Sequence, residues 1–185
     1  HARASGASSA VVLAALLHDV GHLQYQNEDS MAGFGTRRHE LLGAHFLASL
    51  GFSAQVSALV QQHVDAKRYQ VARSDAYRAG LSQASQKTLA FQGGPMTAFE
   101  MRTFEADPIC ELALSLRQWD ERAKAPSVTV PEFKAYEAQI QADLKSTQLT
   151  GNQIAQFKRY GYLVIPKAFD ASFVALWLNE LQVMT

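Results

Sequence analysis

His18, Asp19 and His22 stand together in the run Leu16-Leu17-His18-Asp19-Val20-Gly21-His22, and an imidazole beside a carboxylate, followed by a second imidazole, is a metal-binding composition. On a helix, His18 and His22 are four positions apart and project from one face, while Asp19 is turned by about 100° yet still reaches a cation between the two faces. Taken alone, the pair is equally well a polar helix end. Three more candidates, His39, His63 and Asp120, fall near the ends of predicted helices, and such ends can converge. Imidazole and carboxylate ligands together suit iron, manganese or zinc, and the two oxygens of a carboxylate can bridge two ions. His45 has nothing patterned around it and reads as an ordinary helix residue.

The elements that must position these groups are helical. Ser8 is a reasonable N-cap for a helix, apolar nearly all round, that ends around Gly21. Residues 24–35 are polar and glycine-punctuated, so a loop leads to a helix over 36–50, stopped by Gly51, with His39 in its first turn. Ser53 caps a third helix through Val56, Leu59, Val60 and His63, ending near Lys67 or Arg68. Residues 71–80 are expected to contain a turn, and 82–91 a helix halted by Gly93-Gly94-Pro95. Thr97 with Glu100 forms a capping box, and Asp107-Pro108 opens a helix running to about Lys124 with Arg117 and Asp120 on one face. An extended connector over 125–131 precedes an amphipathic helix over 131–144. After Lys145 the pattern changes to a short helix over 150–160, a strand over 162–166 and a helix over 170–184.

Composition narrows the class. The 185 residues, 48% hydrophobic, suffice for one sizeable core, and 17 basic residues balance 17 acidic ones, so no global field draws the chain to nucleic acid or to an acidic membrane. Anion recognition must then be local. The single Cys110 excludes an internal disulfide and a cysteine zinc cage, which fits a cytoplasmic protein. The longest apolar run, 10–17, is too short to span a bilayer.

The ordered set His18-Asp19, His39, His63 and Asp120 resembles the HD-domain superfamily of metal-dependent enzymes, and its two intermediate histidines resemble the two-metal subset. More narrowly, residues 16–143 resemble the HD-domain mixed-valence diiron oxygenases of phosphonate catabolism, the PhnZ-like group. The shared phrases are Ala15-Leu16-Leu17-His18-Asp19-Val20-Gly21-His22, His63-Val64-Asp65-Ala66-Lys67-Arg68-Tyr69, Gln92-Gly93-Gly94-Pro95-Met96 and Arg117-Gln118-Trp119-Asp120-Glu121. Their length and order make the match specific.

The resemblance implies an all-α HD-domain helical bundle holding two iron ions as an Fe(II)/Fe(III) pair. His18, His39 and His63 would be imidazole ligands, Asp19 the bridging carboxylate and Asp120 the terminal one. His22, Lys67, Ser85 and Arg117 would bind the substrate, with His22 and Lys67 also in the catalytic role. His22, Lys67 and Arg117 each lie within a helical turn of a ligand, whereas Ser85 also reads as a solvated helix serine. The implied reaction is the Fe- and O2-dependent oxidative cleavage of the C–P bond of a 1-hydroxyphosphonate, such as 2-amino-1-hydroxyethylphosphonate, to phosphate and a carboxylic acid such as glycine. Its partners are a small organophosphonate and O2, with no nucleic acid and no membrane. Iron is favoured over zinc because zinc has no redox chemistry with which to activate O2.

The family pattern places a first histidine roughly two dozen residues before its HD pair, which falls upstream of residue 1, and His1 is too close to His18 to substitute. Residues 1–145 are therefore expected to be an HD-domain oxygenase lacking its N-terminal helix or helices, with one metal weakly held and activity impaired. The run Gln153-Ile154-Ala155-Gln156-Phe157-Lys158-Arg159-Tyr160-Gly161-Tyr162-Leu163-Val164-Ile165-Pro166 resembles the opening of the phytanoyl-CoA dioxygenase family of Fe(II)/2-oxoglutarate enzymes. Residues 146–185 are accordingly expected to be a linker and the short α/β start of such a second domain, the parent being fused to a 2-oxoglutarate-dependent phosphonate hydroxylase. Two other readings use the same ligands: an HD-type phosphohydrolase that activates water against a nucleotide or phosphoester, and a catalytically impaired metal-binding fragment. The phrases at 63–69 and 92–96 favour the oxygenase.

Overall fold

Twenty-residue α3, Ala54–Arg73, packs against helices on both sides of it in the sequence. The computed structural model describes residues 1–24, 30–124 and 130–146, together with Ala155 and 158–160. Its contacts divide the chain into two units, His1–Gln148 and Leu149–Thr185. In the first, the described elements are α1 (Ser9–Leu17), a 3-10 turn (Val20–Gln24), α2 (His39–Ser49), α3, α4 (Asp75–Gly80), α5 (Gln83–Phe91), α6 (Ala98–Glu105), α7 (Cys110–Ala123), a second 3-10 turn (Phe133–Tyr136) and α8 (Glu137–Ser146). Among the described residues there is no strand, only an isolated antiparallel bridge between Ser30 and Thr36. In the second unit Ala155 and 158–160 are helical, and the expected strand at 162–166 and helix at 170–184 lie outside the described residues. No helix among the described residues is long and apolar enough to cross a membrane.

The core follows from helical spacing. Val56, Leu59, Val60 and Ala66 of α3 are fully buried against Leu13 and Ala14 of α1, Leu47 of α2, and Ala113 and Leu116 of α7. The stripe does not stop at Lys67 or Arg68, where the sequence suggests an end: Val71 packs into a second cluster with Leu81 and Leu89, and α3 continues to Arg73. There Ser74 ends α3 and, through its side chain, caps α4, so 71–80 holds a helix rather than only a turn.

Several boundaries shift for identifiable reasons. The helix expected to reach Gly21 ends at Leu17, and the HD pair sits at its C-terminus, followed by a 3-10 turn. A Cβ on Gly21 would lie 1.8 Å from the His39 carbonyl oxygen and 2.7 Å from the Gly43 nitrogen, so the chain bends here to bring its backbone against α2. His18 and His22 therefore do not share one α-helical face. Ser53 does not cap α3 with its own side chain; Asp143 of α8 accepts from both its backbone amide and its hydroxyl at 2.8 Å. Asp107 caps the turn before α7 through the Ile109 amide at 2.9 Å, which delays the helix start to Cys110. The single helix expected over 131–144 is a 3-10 turn followed by α8. Thr97 and Glu100 form the capping box in both directions.

Candidate metal centre

Asp19 is the hub of the site. Its Oδ2 lies 3.3 Å from Nε2 of His18, while its Oδ1 lies 3.5 Å from Nε2 of His39 and 3.6 Å from Nε2 of His63. Oδ1 of Asp120 approaches His18 Nε2 from α7 at 3.7 Å. All five sequence-predicted ligands are thus brought together, from the end of α1, the start of α2, the middle of α3 and the last turns of α7.

Hydrogen bonding decides what each ring presents. Nδ1 of His18 faces the Ala15 carbonyl at 3.0 Å, that of His39 the Thr36 carbonyl at 3.2 Å, and that of His63 the Val60 carbonyl at 2.6 Å. A carbonyl only accepts, so in the neutral rings each Nδ1 carries the proton and each Nε2 turns a bare lone pair inward. His39 and His63 then oppose two lone pairs at 3.0 Å in a buried setting, beside a carboxylate. Left alone that arrangement is repulsive, and a cation resolves it; carbonyl-anchored imidazoles are also the usual orientation of metal-ligating histidines. The donor set fits a divalent or trivalent metal.

His22 is different. The Thr36 amide donates to its Nδ1 at 3.0 Å, so the neutral ring carries its proton on Nε2, 3.9 Å from Asp19 Oδ1. By distance alone the ligand atoms of Asp19, His22 and His39 lie within 4.8 Å of one another, yet the Thr36 bond makes His22 a hydrogen-bond donor. Its ring stacks on His39 at 4.1 Å, backed by Gly35, where a Cβ would meet the His22 ring at 2.5 Å.

Charge follows the same division. Burial first, then the neighbouring His22, lowers the pKa of His39 to about 4 against the pull of Asp19. Burial, then the other two imidazoles, holds His63 well below its ordinary value. For His18, burial is outweighed by the hydrogen bond and charge of Asp19, and its pKa rises. Burial would raise Asp19, but the His18 bond and the three imidazoles keep it strongly acidic.

A cavity of about 200 Å³ opens over these groups. The expected substrate residues His22, Lys67, Ser85 and Arg117 line the same cavity as the five predicted ligands. Lys67, buried in α3, donates to Thr88 Oγ1 at 3.2 Å, and burial followed by the charges of Arg117 and Lys124 lowers its pKa to about 8. Ser85 is half-buried in the first turn of α5. Arg117, 5% exposed, spends one nitrogen each on Tyr77, Asp120 and Glu121. Sequence reasoning missed Thr88, three residues beyond Ser85 on the same helix, and Gln92, whose Oε1 is buried without a protein partner and which also lines the cavity. Helical spacing from Ser85 was the signal for the first and the Gln92-Gly93-Gly94 phrase for the second. His45 lies exposed on α2, away from the cavity lining.

A profile of the HD domain matches residues 2–124. The chain belongs to the HD-domain family. An uncharacterised protein of Acanthamoeba polyphaga mimivirus is 37% identical over 133 residues, which cover 71% of this chain and 61% of the viral one. The hydroxymethylphosphonate dioxygenase of Gimesia maris is 37% identical over 146 residues, covering 78% of this chain and 72% of that enzyme. The [1-hydroxy-2-(trimethylamino)ethyl]phosphonate dioxygenase (glycine-betaine-forming) of Leisingera caerulea is 34% identical over 141 residues, covering 76% and 71%. The chain thus spans about six tenths of the viral relative and about seven tenths of the two dioxygenases. Within the HD-domain family, this chain falls with the phosphonate-oxygenase group.

Proposed function

We propose that this HD domain cleaves the C–P bond of a 1-hydroxyphosphonate with O2, giving phosphate and a carboxylic acid; 2-amino-1-hydroxyethylphosphonate, yielding glycine, is the substrate to try first. The observation that carries the reading is one small cavity lined both by inward imidazole lone pairs and two carboxylates and by cationic and hydroxyl donors. The names of the two dioxygenase relatives share a phosphonate bearing a hydroxyl on C1 and differ in the remaining substituent of that carbon. That common unit is what these donors suit.

In this reading His18, Asp19, His39, His63 and Asp120 would hold two iron ions as an Fe(II)/Fe(III) pair. When bound, they supply the redox capacity to activate O2, which no side chain here possesses. The chain's own residues do the rest. Lys67 and Arg117 offset the charge of the phosphonate, and Ser85 donates a hydroxyl to one of its oxygens. His22 holds a proton on Nε2 in the cavity lining, placed to bond a phosphonate oxygen and to pass that proton to phosphate as the C–P bond breaks. Met31 and Phe34, on the loop before α2, line the cavity and limit water entry. We further propose that 1–145 is the oxygenase domain and that 146–185 leads into a phytanoyl-CoA dioxygenase-like hydroxylase.

The test is to load the chain with iron, supply O2 and 2-amino-1-hydroxyethylphosphonate, and measure O2 uptake, phosphate and glycine. Equimolar phosphate and glycine with matching O2 consumption are expected. Phosphate release from nucleotides without O2 uptake would replace the oxygenase by a phosphohydrolase.

A further inference from the structure

We propose that Tyr77 and Glu121 are positioning residues that lock the Arg117 guanidinium and thereby leave Asp120 a single oxygen for a cation. The inference rests on the reading of Asp120 as a metal ligand and adds what fixes its orientation. Oδ2 of Asp120 is occupied twice, by Arg117 Nη1 at 2.7 Å and by Lys124 Nζ at 3.2 Å. Oδ1 alone faces His18.

Arg117 could not do this by itself, because an arginine side chain has several low-energy rotamers and its fork must be held in plane. Tyr77 accepts from its Nε at 2.8 Å, and Glu121 accepts from its Nη2. The Tyr77 hydroxyl then donates to the same Glu121 Oε1 at 3.4 Å, closing a ring of three side chains. With Arg117 only 5% exposed, bulk water is not at hand to replace a lost partner. Tyr77 reaches the ring because Ser74 both ends α3 and accepts from the Tyr77 amide at 3.1 Å, which aims α4 back toward α7. Glu121 is the last residue of the phrase Arg117-Gln118-Trp119-Asp120-Glu121, and the proposed reaction leaves it without a role of its own.

The experiment measures Co2+ affinity and the visible spectrum of the Co2+-loaded chain for the wild type, Tyr77→Phe, Glu121→Gln, Asp120→Asn and, as a control, His45→Ala, with the melting temperature followed for each. Outer partners of metal ligands typically change affinity by 10–100-fold, so Glu121→Gln is expected to weaken Co2+ binding about tenfold and to shift the ligand-field bands, with Tyr77→Phe moving both in the same direction. His45→Ala should match the wild type. If Asp120→Asn binds Co2+ normally, the ligand reading of Asp120 falls. If Asp120→Asn weakens binding while Tyr77→Phe and Glu121→Gln keep wild-type affinity and spectrum, the positioning ring alone falls. Should Glu121→Gln fail to fold, Tyr77→Phe, which removes one hydroxyl, decides.

Discussion

The backbone amide of Thr36 donates to Nδ1 of His22 at 3.0 Å, while the carbonyl of the same residue accepts from Nδ1 of His39 at 3.2 Å. One buried residue therefore sets two stacked imidazoles in opposite tautomers. His39 turns a lone pair toward Asp19, and His22 turns a proton. This distinguishes a ring that presents a lone pair from one that presents a proton, within a cluster where distances alone do not.

Acid should weaken the metal-free fold through the buried histidines. His39 titrates near 4 in the fold and near 6.5 unfolded, so the unfolded chain binds more protons between those values and stability falls as pH drops through that window. A shift of that size on a side chain 5% accessible corresponds to about 3 kcal/mol. His63 acts with the same sign. His18, whose pKa is raised, contributes stability that is present in acid and lost as pH rises through its folded value, a partial offset. Urea unfolding of chelator-treated protein from pH 7 to pH 4 should show a net loss; a flat profile would mean these rings are not buried neutral.

Phosphonate binding should weaken above pH 8. The Lys67 pKa lies near 8 and only the ammonium attracts the dianion, so affinity is full below that value and falls as pH rises through it. A charge-assisted hydrogen bond contributes about 1.5–3 kcal/mol, so Lys67→Met should raise Kd for a non-reacting phosphonate by about 10–100-fold and flatten the pH profile. Calorimetric titration measures both. An unchanged Kd would remove Lys67 from the anion-binding residues.

Two glycines should fail differently. Gly21→Ala puts a Cβ against backbone atoms of His39 and Gly43, which cannot rotate aside, and overpacking there should cost on the order of 3 kcal/mol and weaken metal binding by separating Asp19 from His39. Gly35→Ala, at φ +111, meets the His22 ring instead and should impair turnover far more than metal affinity. Denaturant midpoints and metal titrations on both variants check this; equal loss of metal in each would mean His22 belongs to the ligand set.

The amino-acid sequence alone determined the helical architecture and named the five side chains that the fold brings together. Caps such as Thr97 with Glu100, and the apolar period through Val56, Leu59 and Val60, are local and short-range, so they are written in neighbouring residues. His18, Asp19, His39, His63 and Asp120 were legible as candidates because imidazoles and carboxylates fall near predicted helix ends in an order that resembles the HD-domain pattern. Only the tertiary structure decided what those side chains present. The carbonyls of Ala15, Thr36 and Val60 each stand three residues before the ring they orient, whereas the opposite tautomer of His22 depends on the Thr36 amide fourteen residues further along the chain, a partner that residue type does not mark. The length of α3 depended on Leu81 and Leu89 arriving to cover Val71, and the recruitment of Tyr77 on the turn at Ser74. The close approach of Gly21 to His39 likewise joins two segments that stand apart in the sequence, and it is this contact that brings His18-Asp19 up to the first turn of α2.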